Sequence, residues 1–455
     1  MKKFTLIAFT ATFLVIVTTF ILINIIRGNK NISIYKQEKP SCLNCNVIFI
    51  SFDTLRADNV GLYGYEKKTT PNIDKFAKEG IVFTNTISVA PWTLPATMSW
   101  FTGVYPSQHK ILNKFTLTST GEEKISNLKN LSPNLKTLTE VLEENDYKTG
   151  GFTGGAGVHH KFGFNQGFDI YVDDQDFAGF NYTMPKALNW IKDNSNRKIF
   201  VFLHGYDIHG QYVPEGGYDY RFVDFDYKGS LTGSKQEQKE LREEGIRKGK
   251  IFLTNNDVKY LTALYDEKIS RADQQFENFL NEYQKLGLMN KTIFILTSDH
   301  GEELYEHSRI DHGHSLYEEL INVPLIIIYP GIIEKKIIHS QVRSIDIMPT
   351  IMDLLGIKLN EEVTQQMAST SLIPLIQGKK LSLDAFPETD YRYSIFLRAL
   401  RTPDNWKLIQ NLESKTEEVY KLNKDSQEKN NQIGNKQTEL LRQKLNSHIN
   451  RIIRN

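Results

Sequence analysis

Four stretches of the chain are almost continuously apolar: residues 46–53, 198–204, 292–299 and 323–329. A strand with one wet face alternates apolar and polar side chains, whereas a strand covered on both faces does not. These runs therefore predict strands of a buried, mostly parallel central sheet. Between them, Leu135, Leu138, Val141 and Leu142 recur at spacings of three and four, and so do Ile269, Ala272, Phe276, Phe279 and Tyr283. That period predicts amphipathic helices. Strands alternating with such helices imply an α/β fold with helices flanking the sheet. Ligands in such folds gather at the carboxyl ends of the strands. Three of the four runs close on Asp53, His204 and Asp299.

The remaining segments differ in character. Residues 4–26 carry no charge and are long enough to cross a bilayer core, which needs about 20 residues. The run ends at Asn24-Ile25-Ile26-Arg27 with no small-residue cleavage site, favouring an uncleaved transmembrane helix over a cleaved signal peptide. Lys2 and Lys3 precede it and Arg27 and Lys30 follow it, so flanking charge does not set orientation. The expected division is an anchor at 1–27, a polar linker at 28–45, a catalytic domain at 46–390 and a C-terminal subdomain at 391–455. The subdomain ends in a helix with Leu441, Leu445, Ile449 and Ile452 on one face. Residues 228–250 are highly charged with no long apolar face, and read as a solvated insertion or loop.

Composition narrows the function classes. The 455 residues include 55 basic and 54 acidic side chains, with no basic stripe, which argues against nucleic-acid binding. Cys42 and Cys45 are the only cysteines. A structural zinc site needs four ligands, so the pair reads as a small surface disulfide or two thiols.

Local pattern leaves the candidate chemistry open. A strand-end Asp53 serves as a helix cap or a ligand. In Ser298-Asp299-His300-Gly301-Glu302 an acid beside an imidazole offers two metal ligands at once. Thr93, in Pro91-Trp92-Thr93-Leu94-Pro95, either caps a helix or presents a hydroxyl where a helix N-terminus favours anions.

Taken together, these segments resemble the sulfatase family of the alkaline phosphatase superfamily. The matching stretches are Phe52-Asp53-Thr54-Leu55-Arg56-Ala57-Asp58, Thr70-Pro71-Asn72-Ile73-Asp74, Thr93-Leu94-Pro95 and Phe101-Thr102-Gly103. Phe202-Leu203-His204-Gly205-Tyr206-Asp207-Ile208-His209, Ser298 to Glu302, His312-Gly313-His314, Ser344 to Thr350 and Tyr420-Lys421-Leu422 follow in order. The resemblance implies an alkaline-phosphatase-like fold and a divalent metal (Mn, Mg, Zn or Ca) held by Asp53, Asp299 and His300, with Thr93 completing the shell. It implies Thr93 as nucleophile, with His209 and His312 or His314 facing the substrate, and His204 orienting a neighbour. Mixed nitrogen and oxygen donors suit calcium least. Asp207, His209 and His314 offer a possible second zinc site, as in two-metal relatives.

The sequence departs from the family at one decisive place. Where sulfatases carry the Cys or Ser that becomes formylglycine, this chain has Thr93, and Thr97 stands at the following Arg position. Threonine cannot yield the aldehyde, because its β-carbon bears a methyl group. The Lys-x-His element is also missing, with Phe152-Thr153-Gly154-Gly155 in its place. These departures favour a Thr nucleophile acting on phosphodiester or phosphonate esters. The competing readings are a sulfuric ester hydrolase, a head-group or cell-envelope transferase, and an inactive binding homologue. The expected substrate is a small-molecule, lipid or glycan ester. The anchor would hold the catalytic domain outside the cytoplasm, in a periplasm or at a cell surface.

Overall fold

Continuous apolar runs resolve into two covered faces once the strands are extended, because successive side chains point to opposite sides. In the computed structural model, which describes residues 41–113, 115–117, 123–125, 129–213, 220–329, 335–392 and 395–454, β1 (Asn46–Phe52) is buried throughout. Its Val47 and Phe49 face one core with Trp100, Phe101, Phe200 and Ile351. Its Ile48, Ile50 and Phe52 face another with Phe180, Leu264, Phe276 and Ile326. Each such side chain contributes about 1.5–3 kcal/mol when fully buried. The apolar segment 4–26 lies outside the described residues, as do residues 28–40 of the expected linker. Among the described residues no helix is long and apolar enough to cross a membrane.

The other strands of the central sheet are β2 (Ile81–Ile87), β3 (Lys148–Phe152), β4 (Ile170–Val172), β5 (Ile199–Gly205), β6 (Thr292–Thr297), β7 (Asn322–Ile328), β8 (Lys336–Ile338) and β9 (Val342–Arg343). Their order is β8-β2-β7-β6-β1-β5-β3-β4, with β9 also on β2. β1 pairs in parallel with β5 and β6, setting Ser51 opposite both His204 and Thr297. The fourth apolar run corrects the expectation of a parallel strand: β7 runs antiparallel to both β6 and β2. An apolar run reports burial on two faces but carries no strand direction, so the sheet is mixed.

The helices on the two faces are α1 (Pro71–Ala77), α2 (Thr93–Thr102), α3 (Leu138–Glu143), α4 (Phe180–Asp193), α5 (Lys235–Lys248), α6 (Asn255–Lys285) and α7 (Ile347–Leu355). Leu135 precedes α3 because Thr137 and Glu140 form a reciprocal capping box that starts the helix at Leu138. The charged stretch 228–250 is not a loop. It contains α5, capped by the Ser234 hydroxyl accepting from Glu237 N–H and ended by Gly249 at φ 77°. Its buried contacts are mainly polar: Arg242 pairs with Asp311 at 3.0 Å and Gln238 is buried, while only Leu241 and Ile246 pack on the two cores. A search for an apolar stripe misses such a helix.

The chain ends in a four-stranded antiparallel sheet, β10 (Glu388–Tyr391), β11 (Ile395–Arg401), β12 (Trp406–Asn411) and β13 (Glu417–Lys421), followed by α8 (Gln437–Arg454). Leu441, Leu445 and Ile449 pack on Leu400, Leu408 and Val419, while Ile452 meets Val89 and Tyr105. Cys42 and Cys45 form a disulfide that is buried rather than at the surface.

One buried imidazole fixes the segment after α2. Ile111 N–H donates to His109 Nδ1 at 3.0 Å, so the ring proton sits on Nε2, which faces Ser99 Oγ at 3.1 Å. Burial lowers the His109 pKa to about 3. The unfolded chain binds a proton near pH 6.5 and the folded one does not, so stability falls as pH drops from 6.5 toward 3, by up to about 1.4 kcal/mol per pH unit. His109→Gln is expected to flatten that part of the profile. Urea unfolding at pH 6.5 and 4.5 measures it, and an unchanged slope would refute the assignment.

Candidate active site and metal centre

The sheet order places β5, β1 and β6 side by side, so their polar ends converge. Asp53 follows β1, His204 lies in β5 and Asp299 follows β6; one donor atom from each lies within 4.8 Å of the others. None of the three is exposed. The backbone just past Asp53 is strained, with Thr54 at φ 61°. A β-branched residue rarely adopts that conformation, and such outliers concentrate at functional sites. Its N–H donates to Asp299 Oδ1 at 3.3 Å, tying the two strand ends together.

Thr93 joins the cluster from α2. It is the first residue of α2, whose cap position is Trp92 with no side-chain capping bond. The hydroxyl is therefore not a cap. It donates to Asp53 Oδ2 at 3.1 Å and lies 3.4 Å from His300 Nε2. Gly157 permits this placement: a Cβ there would lie 2.8 Å from Thr93 Cβ. Gly157 N–H is in turn held by the Tyr206 hydroxyl at 3.0 Å.

His300 donates from Nδ1 to Gly301 O at 2.8 Å, which leaves the Nε2 lone pair facing the cluster. Nε2 lies 3.4 Å from Asp299 Oδ2 and 4.0 Å from Asp53 Oδ1. Burial pushes the Asp299 carboxyl up to about 6, with the neighbouring Asp53 adding to it. Burial lowers His300 to about 4, partly offset by Asp299. Asp299 Oδ2 is buried and accepts no hydrogen bond among the described residues. Two buried carboxylates, an inward imidazole lone pair and a hydroxyl form a donor set that fits a hard or borderline divalent cation.

His204 has a different place. Its Nε2–H donates to Asp53 Oδ2 at 3.1 Å, and its Nδ1 meets Ser51 Oγ at 3.0 Å. The ring thus holds Asp53 in position.

The expected substrate-facing histidines separate. His312 lies beside His300, with centroids 4.4 Å apart and rings tilted by 45°, and the His209 ring is 5.1 Å from that of His312. His312 Nδ1–H donates to Glu302 Oε2 at 3.2 Å. Burial lowers both imidazoles, most strongly His209, where His312 adds to the effect. His314 turns elsewhere: its Nε2 lies 2.9 Å from Glu303 Oε2. Asp207 accepts the N–H of Phe180, the first residue of α4, at 2.7 Å. Among the described residues Asp207, His209 and His314 do not form a common donor group.

Sequence reasoning missed the groups supporting His312. Glu302, Asp311 and His312 have donor atoms within 4.8 Å of one another, and Arg242 of α5 closes on Asp311. Asp311 sits in a two-residue ladder with Glu303, too short for any periodic signal.

The chain is similar to known proteins over most of its length. A family model described as sulfatase matches residues 45–357, and one described as N-sulphoglucosamine sulphohydrolase, C-terminal, matches 306–455. Arylsulfatase K of Mus musculus is 24% identical over 384 residues, 75% of this chain and 65% of that protein's length. The chain therefore spans just under two thirds of that relative. A Delta 4,5-hexuronate-2-O-sulfatase of Bacteroides thetaiotaomicron is 22% identical over 431 residues, 87% of this chain and 85% of its own. The phosphonate monoester hydrolase of Agrobacterium radiobacter shares the fold, with a TM-score of 0.69, 17% identity and coverage of 90% and 95%. With the sulfatase model matching most of its length, and the motif residues of distant segments meeting at adjacent strand ends, this chain belongs to the sulfatase family.

Proposed function

We propose that the chain is a divalent-metal-dependent ester hydrolase that cleaves a phosphodiester or phosphonate ester through a covalent intermediate on Thr93. The observation that carries this reading is the Thr93 hydroxyl, engaged by Asp53 and His300 instead of capping its own helix. Asp53, Asp299, His300 and Thr93 would hold the cation. When bound, it supplies positive charge that favours the Thr93 alkoxide and offsets charge on the non-bridging oxygens.

The protein groups do the rest. Asp53 orients the Thr93 hydroxyl, and His204 holds Asp53. Thr93 Oγ1 gives its proton to Asp53 Oδ2, which already accepts it at 3.1 Å, and attacks phosphorus in line, forming one O–P bond while the bond to the leaving oxygen breaks. The departing alkoxide takes the Nε2 proton of His312 in its protonated, imidazolium form, which the Glu302 and Asp311 carboxylates beside Nδ1 favour against burial. Water then attacks the Thr93 ester and gives a proton to His312 Nε2, while the O–P bond to Thr93 breaks and Asp53 returns its proton to Oγ1. His209 borders the substrate beside His312. His314, held by Glu303, shapes the loop rather than the reaction.

A sulfuric ester is the second reading, favoured by the sulfatases among the relatives. The test is a panel of matched 4-nitrophenyl phosphodiester, phosphonate, phosphomonoester and sulfate substrates. It is run after chelation and again with Mn, Mg, Zn or Ca restored. Metal-dependent cleavage led by a phosphodiester or phosphonate is expected. Fastest cleavage of the sulfate would establish the second reading, and equal rates in chelator would overturn both.

A further inference from the structure

Phe177 sits at the border of this site in a conformation that its own side chain does not favour. Its φ is 58° and half of its surface is exposed. An exposed phenylalanine in the left-handed region is held there by its surroundings. The neighbours supply the restraint. Asp176 Oδ1 accepts the N–H of Ala156 at 2.8 Å, and Ala178 O accepts the N–H of Tyr206 at 3.1 Å. Both flanks of Phe177 are therefore tied to the segments carrying Gly157 and Tyr206, which pack around Thr93.

The ring continues a series that begins at the metal donors. His300 and His312 have centroids 4.4 Å apart, His312 and His209 5.1 Å, and His209 and Phe177 5.2 Å. Tyr206 supports the Phe177 ring from another side at 5.2 Å. The Lys235 ammonium, at the start of α5, stands 5.7 Å from the Phe177 ring centre. A half-exposed ring with a cation over it, at the end of a row of site residues, matches a flat ring that carries negative charge.

We infer that Phe177 is a platform for the leaving group, stacking on a six-membered ring (pyranose or aryl) whose ester is presented to Thr93. Lys235 pairs with a second anionic substituent on that ring. The inference rests on the hydrolase reading for its orientation, with Thr93 at one end of the substrate and Phe177 at the other.

The experiment compares wild type, Phe177→Ala, Phe177→Trp and Lys235→Ala. The substrates are ethyl, 4-nitrophenyl and methyl-pyranoside esters of the acid group that the enzyme cleaves fastest, the pyranoside with and without a carboxylate on its ring. Binding of methyl glucoside 6-sulfate and of 4-nitrophenyl sulfate to Thr93→Ala, with and without Phe177→Ala, is measured by calorimetry. Phe177→Ala is expected to lower kcat/KM about tenfold on ring-bearing esters, mainly through KM, and to leave the ethyl ester within about twofold. Phe177→Trp retains activity. Lys235→Ala loses affinity only for rings with a second negative charge. The pyranoside and aryl arms show which ring is preferred. Equal losses on ethyl and ring-bearing esters, or no loss on either, would overturn the platform. If no ester is cleaved but ring binding still depends on Phe177, the platform stands and the hydrolase reading falls.

Discussion

Thr93→Ala is expected to reduce kcat/KM on the order of 10⁴-fold or more and to abolish any covalent adduct, while leaving the fold intact. The magnitude follows from the role proposed for the hydroxyl. Without it there is no nucleophile to form the intermediate, and a water in its place lacks the fixed approach that α2 imposes. The fold should survive because Thr93 is not the cap of α2 and its methyl lies against Gly157, where alanine fits. Thr93→Ser keeps the oxygen but loses the β-methyl that packs on Gly157, so its hydroxyl samples more rotamers. It should retain activity within about 10–100-fold of wild type. Intact-mass spectrometry of enzyme quenched during turnover reads the adduct directly, as a mass gain of the acid group mapped to the peptide containing Thr93. Wild-type turnover by the alanine variant, or an adduct on another residue, would sink the assignment.

How much of this was legible in the sequence depends on which physical property each feature carries. Asp53, His204 and Asp299 were readable because each ends a run whose burial is written in its composition. Their convergence was not, since it depends on β5, β1 and β6 being neighbours, and strand order leaves no mark on the individual runs. The reversal of β7 was hidden for the same reason. Thr93 was ambiguous between cap and nucleophile until Trp92 took the cap position. The two histidines of His312-Gly313-His314 were indistinguishable in sequence, yet Glu302 holds one and Glu303 the other. α5 and Phe177 escaped entirely, because an ion-paired helix and a strained loop residue have no hydrophobic period. The N-terminal apolar run, legible as a membrane anchor by length alone, falls outside the described residues.

Removal of the cation should destabilise the protein, and Asp299→Asn should erase that effect. In the metal-free site the Asp53 and Asp299 carboxylates are buried together, and Asp299 Oδ2 has no donor among the described residues. A divalent cation cancels this repulsion, so ligand linkage predicts about 2.7 kcal/mol of added stability at a metal concentration 100 times Kd. Asp299→Asn keeps an oxygen for the Thr54 N–H but removes a charge and a ligand. Metal affinity should then fall at least about 100-fold, since losing even an outer-shell partner costs about 10–100-fold. Turnover should fall with it. The metal-free variant, relieved of one of two facing charges, should be at least as stable as the metal-free wild type. A variant whose fold merely failed would instead lose stability in both states. Elemental analysis and thermal unfolding with and without chelator separate these outcomes. A wild-type protein whose unfolding ignores the chelator, or an Asp299→Asn variant that retains full metal occupancy, would remove Asp299 from the centre and the proposed chemistry with it.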